Sequence, residues 1–395
     1  QLGLVDFADG LCVQGFCAPA AVEYPAHLQE FPDGLHVPDA LFRLGECEMA
    51  LGRNAEAVAA FDRLLNRPGT SLHHERARLR RAVALYEAGQ HAEAEIALKQ
   101  ASAAPGTAPE AHYYLGKLYF DTNKPQESIN AFEAVTRIAP QNPLTPYARY
   151  QMAFGLLKLG QDEKAAVQFT EIANAEGVDP ALRVECRFRA AETYDRLGWF
   201  DAAVSAYEKL RRDYPESDYA KRAAYGYAWS LYHAAQYADA AVAIDRYLQE
   251  NPGSDREAGL LYLKGNCLLQ EERYDHAVAA FERVRAAHAQ SEYAPRAAYK
   301  IAWTMFLSGN DEGALAALDT MAGGSASAGD AAFLRGEIFA KRGNYEDAYD
   351  EFRLVADRYP DSEFAADAWF KGGECLVKLE RYASAMTTFD TYAIN

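Results

Sequence analysis

The 395 residues carry 57 acidic against 40 basic side chains, a formal charge of −17, and half of them are hydrophobic. A surface this acidic repels a polyanion, so nucleic acid is not an expected partner. No apolar run approaches the roughly 18 to 20 residues of a membrane span, and Ala, Leu, Glu, Arg and Tyr recur without β-branched alternation, so the elements to expect are helices.

Taken in chain order, the predicted helices come in pairs. A bulky residue near the end of each second helix recurs at Tyr24, Phe61, Leu98, Phe132, Phe169, Tyr207, Ile244, Phe281, Leu318, Phe352 and Phe389, with gaps of 34, 37 or 38 residues. Four residues before each of these anchors stands alanine, with Ser128 the one exception. Sixteen before each stands Ala8, Gly45, Ala82, Gly116, Ala153, Ala191, Ala228, Gly265, Ala302, Gly336 or Gly373. Antiparallel helices approach to about 8–10 Å where one presents a small residue to a large one, so the columns are two halves of one fit. Pro or Gly eight residues after most anchors stops the second helix. Ser217, Ser254 and Ser362 follow such stops and suit N-caps, Ser254 with Glu257 at capping-box spacing. Glycines at 15, 52, 89, 160, 198, 309 and 343 mark the turns within hairpins.

These columns resemble the tetratricopeptide repeat along the whole chain. The usual first-helix tryptophan appears only at Trp369, and most units run to 37 residues rather than 34. Such longer units with Tyr-Pro-x-Ser connectors are similar to a bacterial envelope subclass, the outer-membrane assembly lipoproteins and the periplasmic partner of the Tol-Pal system. The resemblance implies an all-α, right-handed superhelical solenoid of about eleven hairpins over 1–395, with first helices lining a concave groove. It implies a non-catalytic scaffold or adaptor that holds a peptide or helix of another protein, in the periplasm or cell envelope. The alternatives are a structural subunit packed by its ends or convex face, a targeting arm of a larger protein, and a cytoplasmic location.

Three residues before the small position lies an aromatic column: Phe42, Tyr113, Tyr150, Phe188, Tyr225, Tyr262, Tyr299, Phe333 and Phe370. By the geometry of the family it stands at or near the concave wall, where it offers large area at low entropy cost. Filling the seam between hairpins explains it equally well. Trp229 and Trp303 follow the small position directly, where seven other units hold Asp9, Glu46, Lys117, Glu192, Asn266, Glu337 and Glu374. Tryptophan in a polar column suits an interface. The expected partner-binding patch is therefore Tyr225, Trp229, Tyr262, Tyr299 and Trp303, with Asn266 and Lys300 as polar handles. The carboxylate clamp of chaperone-binding relatives is incomplete, since Asn266 is the one asparagine in its column.

Other features add little chemistry. Cys47, Cys267 and Cys375 share a small-residue column and read as core fillers, with Cys186 apart from them. Cys12 and Cys17 flank the first turn at a separation that allows a strained disulfide; left unpaired, the cysteines fit a reducing compartment better. His73 and His74 read as a solvated helix start. There is no phosphate loop, no G-x-S-x-G and no H-E-x-x-H, so neither an enzyme nor a cofactor is expected. Gly323-Gly324-Ser325-Ala326-Ser327 replaces a Pro-containing connector and reads as a hinge at 323–327. The start at Gln1 and the stop at Asn395 are what a processed product, or a segment of something larger, would show.

Overall fold

The computed structural model describes residue 11 and residues 16–68, 73–321 and 328–394, so Ala8, Asp9, Cys12, Gly15 and the 323–327 connector lie outside the described residues. The chain divides into two compact units, Gln1–Trp199 and Phe200–Asn395. All regular structure among the described residues is helical.

In the first unit the helices are α1 (Cys17–Glu30), α2 (Val37–Ala50), α3 (Asn54–Leu65), α4 (His74–Glu87), α5 (His91–Ala101), α6 (Ala108–Asp121), α7 (Pro125–Ile138), α8 (Thr145–Lys158), α9 (Asp162–Asn174) and α10 (Pro180–Arg196). The second unit runs α11 (Phe200–Asp213), α12 (Asp218–His233), α13 (Tyr237–Glu250), α14 (Glu257–Gln270), α15 (Tyr274–Ala287), α16 (Tyr293–Leu307), α17 (Asp311–Asp319), α18 (Ala328–Lys341), α19 (Tyr345–Arg358), α20 (Ala365–Lys378) and α21 (Tyr382–Ile394). Within each unit every helix packs on the next in sequence, as in a hairpin solenoid.

The three repeat columns are the interior. The anchors from Tyr24 to Phe352 are at most 2 % exposed, while Phe389 in the last helix is half-buried. Alanines four residues before the anchors are equally buried, and Ser128 fits among them because its hydroxyl donates to the Gly116 carbonyl at 2.8 Å. The choice between glycine and alanine follows the size of the anchor. A Cβ on Gly45 would lie 2.5 Å from the Phe61 ring, on Gly116 2.6 Å from Phe132, and on Gly336 2.8 Å from Phe352. Where the anchor is Leu98, Ile244 or Leu318 the small residue is Ala82, Ala228 or Ala302. Ala153 facing Phe169 and Ala191 facing Tyr207 break this rule.

Turns and caps depart from the sequence signals in two ways. Gly52, Gly89, Gly160, Gly198, Gly309 and Gly343 adopt the left-handed conformation as expected, but Asn123, Ala235, Glu272 and Glu380 take it too, each at φ 58°. The turn geometry is thus common to hairpins with and without glycine. Ser217 caps α12 by accepting from the Ala220 amide at 3.1 Å. Ser254 does not form the expected capping box: it accepts from the Arg256 amide at 3.2 Å and α14 begins three residues later. Ser362 makes the same short turn with the Phe364 amide. In both, the connector turns once more before the helix starts, so serine sits too early to cap it.

Candidate partner-binding face

The first helices carry the aromatic column, and the structure gives most of its rings work inside the stack. Phe42 and Phe188 are buried. Several rings lie on their own hairpin's anchor, as with Tyr113 on Phe132, Tyr262 on Phe281 and Phe333 on Phe352, at 5.4–5.7 Å between centroids. Several also meet the residue nine before the next small position. Phe42 stacks on His73 and Phe333 on Phe364, both at 4.6 Å, and Tyr262 lies 5.6 Å from Tyr293. Arg256 caps Tyr225 at 4.3 Å. His73 is thus not a solvated start; it is packed on Phe42 and its Nε2 lies 2.7 Å from the Asp39 carboxylate.

Two further rows stitch neighbouring hairpins along this face. The residue after the small position meets the one two before the next: Glu46 with Arg80 at 2.5 Å, Glu337 with Lys371 at 2.8 Å, and Phe154 under the Arg189 guanidinium at 5.6 Å. Four residues after the small position, Tyr86 donates to Asp121 at 2.5 Å, while Lys158 covers Phe120 and Lys341 covers Phe306. Burial and the Asp121 hydrogen bond hold the Tyr86 hydroxyl well above the ordinary tyrosine range.

The seven residues singled out in sequence all lie in the second unit, on α12, α14 and α16, in different settings. Trp229 is the most open, 37 % exposed. Its indole sits 4.4 Å from His233, whose ring stacks on Phe200 at 4.8 Å. Trp303 is half-buried between Tyr299 at 6.4 Å and Phe306 at 6.0 Å. Tyr225 and Tyr262 are seam residues, as described, and Asn266 stands beside the Tyr262 hydroxyl. Tyr299 and Lys300 are half-buried near Asp330 and Glu363. Burial pushes the Lys300 amine below its ordinary value against the pull of those carboxylates, and burial with the Glu363 charge raises Asp330. His233, Phe200 and Arg256 carry no repeat signal that would have marked them; they join the face through contacts across hairpins. Phe154, in the column of the tryptophans, makes that column less polar than its other members suggest.

The cysteines behave as core. Cys47, Cys186, Cys267 and Cys375 are buried, and burial pushes the Cys186 and Cys267 thiols up to about 12 and Cys375 to about 11. Thiols held protonated in this way are poor nucleophiles and poor ligands. Among the described residues no cluster of His, Cys, Asp or Glu could hold a metal, and no helix is long and apolar enough to cross a membrane.

Comparison with known proteins places these features. Tetratricopeptide-repeat profiles match residues 39–70 and 79–143. The profile of the outer membrane lipoprotein family YfiO matches 184–269 and 255–393, together more than half of the chain. No curated protein matches the sequence. Among solved structures, a tetratricopeptide repeat protein from Parabacteroides merdae is similar at 17 % identity over 66 % of this chain and 96 % of its own, with a TM-score of 0.41. PilF of Pseudomonas aeruginosa is similar at 20 % identity over 55 % of this chain and 94 % of its own, at 0.42. MamA from Desulfovibrio magneticus is similar at 17 % over 44 % of this chain and 91 % of its own, at 0.37. With buried repeat columns along both units and a profile match over its larger part, the chain belongs to the YfiO outer membrane lipoprotein family of tetratricopeptide-repeat, protein-interaction scaffolds.

Proposed function

We propose that the chain is a non-catalytic scaffold that holds a peptide or helix of a partner protein against its first helices, within a bacterial cell-envelope assembly. The observation that carries this reading is Trp229. Its neighbours in the aromatic column are spent on seams between hairpins, whereas its indole lies open on a bed of His233 and Phe200. An exposed, backed tryptophan costs little entropy to bury and gives large apolar area, the usual character of an interface anchor. Trp303 and Tyr299 continue the aromatic surface, and Lys300 and Asn266 supply polar contacts. The family match to outer membrane lipoproteins supports an envelope location.

The test is affinity capture from an envelope extract with wild type and Trp229→Ala, each checked for helicity. Loss of one or a few partners from the variant is expected. If both recover the same partners in equal amounts, the first-helix face is not the binding face.

A further inference from the structure

The second unit holds a titratable group inside the Trp229 site itself. Five residues after the small position, three described hairpins carry a permanent cation that reaches back to the preceding hairpin. Lys158 lies 3.7 Å over the Phe120 ring, and Arg196 lies 2.8 Å from the Asp162 carboxylate. Lys341 lies 2.8 Å from Asp311 and 4.9 Å over Phe306. At the same position α12 ends in His233, the one histidine of this row among the described residues. It reaches back in the same way, but what it meets is aromatic: Phe200 stacks on it at 4.8 Å. Trp229 and Tyr232 of its own helix lie 4.4 Å and 5.2 Å away.

Three rings thus surround one exposed imidazole. An aromatic face attracts a cation and gains little from a neutral ring, and histidine is the side chain whose charge turns over between about pH 5 and 8. The other titratable groups of this corner do not change in that range or are already engaged. Asp201, at the start of α11, accepts from the Gln236 amide at 3.3 Å, and among the described residues no carboxylate pairs with His233. Tyr232, with Tyr237 of α13 and Tyr262 and Cys267 of α14 around it, is held above the ordinary tyrosine range by burial and stays neutral.

From these contacts we propose that His233 is a proton-operated switch on the Trp229 site: its charged ring holds the indole against itself and Phe200, and its neutral ring leaves the indole to a partner. The sign follows from solvation. A partner that covers Trp229 covers the exposed imidazole as well, and a charged imidazole with no carboxylate beside it is costly to take from water. The site therefore takes its partner when His233 is neutral and sheds it on acidification. This regulation rests on Trp229 being the partner anchor.

The test has two arms. In the first, 5-fluorotryptophan is incorporated into the full chain, which has four tryptophans, and the fluorine resonance lost in Trp229→Phe identifies residue 229. Between pH 8 and pH 5 that resonance should shift in the wild type and stay flat in His233→Gln, which keeps the fold because His233 is exposed. A resonance that does not move, or that moves alike in both proteins, overturns the switch. In the second arm, partners are captured from an envelope extract at pH 7.5, and those that Trp229→Ala loses are followed. At pH 5.5 the wild type should hold them about tenfold more weakly than His233→Gln does. Equal release from the two overturns the gating. Capture of no Trp229-dependent partner would instead remove Trp229 as the anchor, and the fluorine titration would still decide whether the proton acts on the indole.

Discussion

The hairpin around Gly265 and Phe281 and the exposed surface around Trp229 lie in the same unit, yet different physics governs them. At the first, a missing Cβ and a buried ring define each other, and the same pairing recurs at Gly45, Gly116 and Gly336. Space there is fixed by close packing, so chemistry is repeated wherever the geometry is repeated. At the second, the equivalent positions hold Glu46 and Glu337, each tied by an ion pair to the next hairpin, and Phe154 under Arg189, so the stack accepts several side chains and does not require an indole. A side chain that the fold does not require is free to serve a partner.

The sharpest way to break this comparison is at Phe281. Phe281→Ala removes a fully buried ring and should cost about 3–5 kcal/mol, read as a lowered urea midpoint. Gly265→Ala attacks the same contact from the other side; overpacking against the ring should cost about 1–3 kcal/mol. If Gly265→Ala proved neutral, the glycine–phenylalanine rule would be no more than a coincidence of composition.

The two tryptophans sharpen it further. Trp303 is half-buried between Tyr299 and Phe306, so Trp303→Ala should lower stability by about 1–3 kcal/mol. Trp229→Ala removes a more open ring that still packs on His233, and should cost less, about 1 kcal/mol or below. Equal losses in chemical denaturation would show that Trp229 too is a structural residue.

These contrasts explain what could be seen in the sequence. Anchor, alanine and small-residue columns were legible because close packing tolerates few side chains at each place, and their register located every described hairpin. The aromatic column was legible as a column but not as a function: Tyr225 and Tyr262 meet Arg256 and Tyr293 of the following hairpin, contacts 31 residues away that no repeat position announces. Likewise the ion pairs of Arg81, Lys264 and Arg335 with Asp62, Asp245 and Asp319 are evident only in the structure, because the position before the small residue holds a cation in just these three described hairpins. Turn glycines were read correctly but incompletely. Ala235, Glu272 and Glu380 hold the same left-handed turn without glycine, so Glu272→Gly should raise stability by about 0.5–1 kcal/mol in thermal melts.

The smallest effect at neutral pH belongs to His27 in the first unit, because it is nil there and develops only on acidification. His27 is 1 % exposed in α1, against Phe31, and neither ring nitrogen has a hydrogen-bond partner. Burial lowers its pKa below the ordinary histidine value of 6.5, with the neighbouring His36 acting in the same direction. The folded state therefore holds this imidazole neutral at pH values where the unfolded chain already binds a proton. Stability from this group is intact above about pH 6.5 and falls as the pH drops through that value, levelling off once the folded form is protonated as well. His27→Phe removes the titration while keeping an apolar ring in place. The urea midpoint of the variant should decline less than that of the wild type between pH 7.5 and pH 5.5. Parallel declines would mean that the proton is taken up elsewhere, and that the burial of this ring has no part in the acid response.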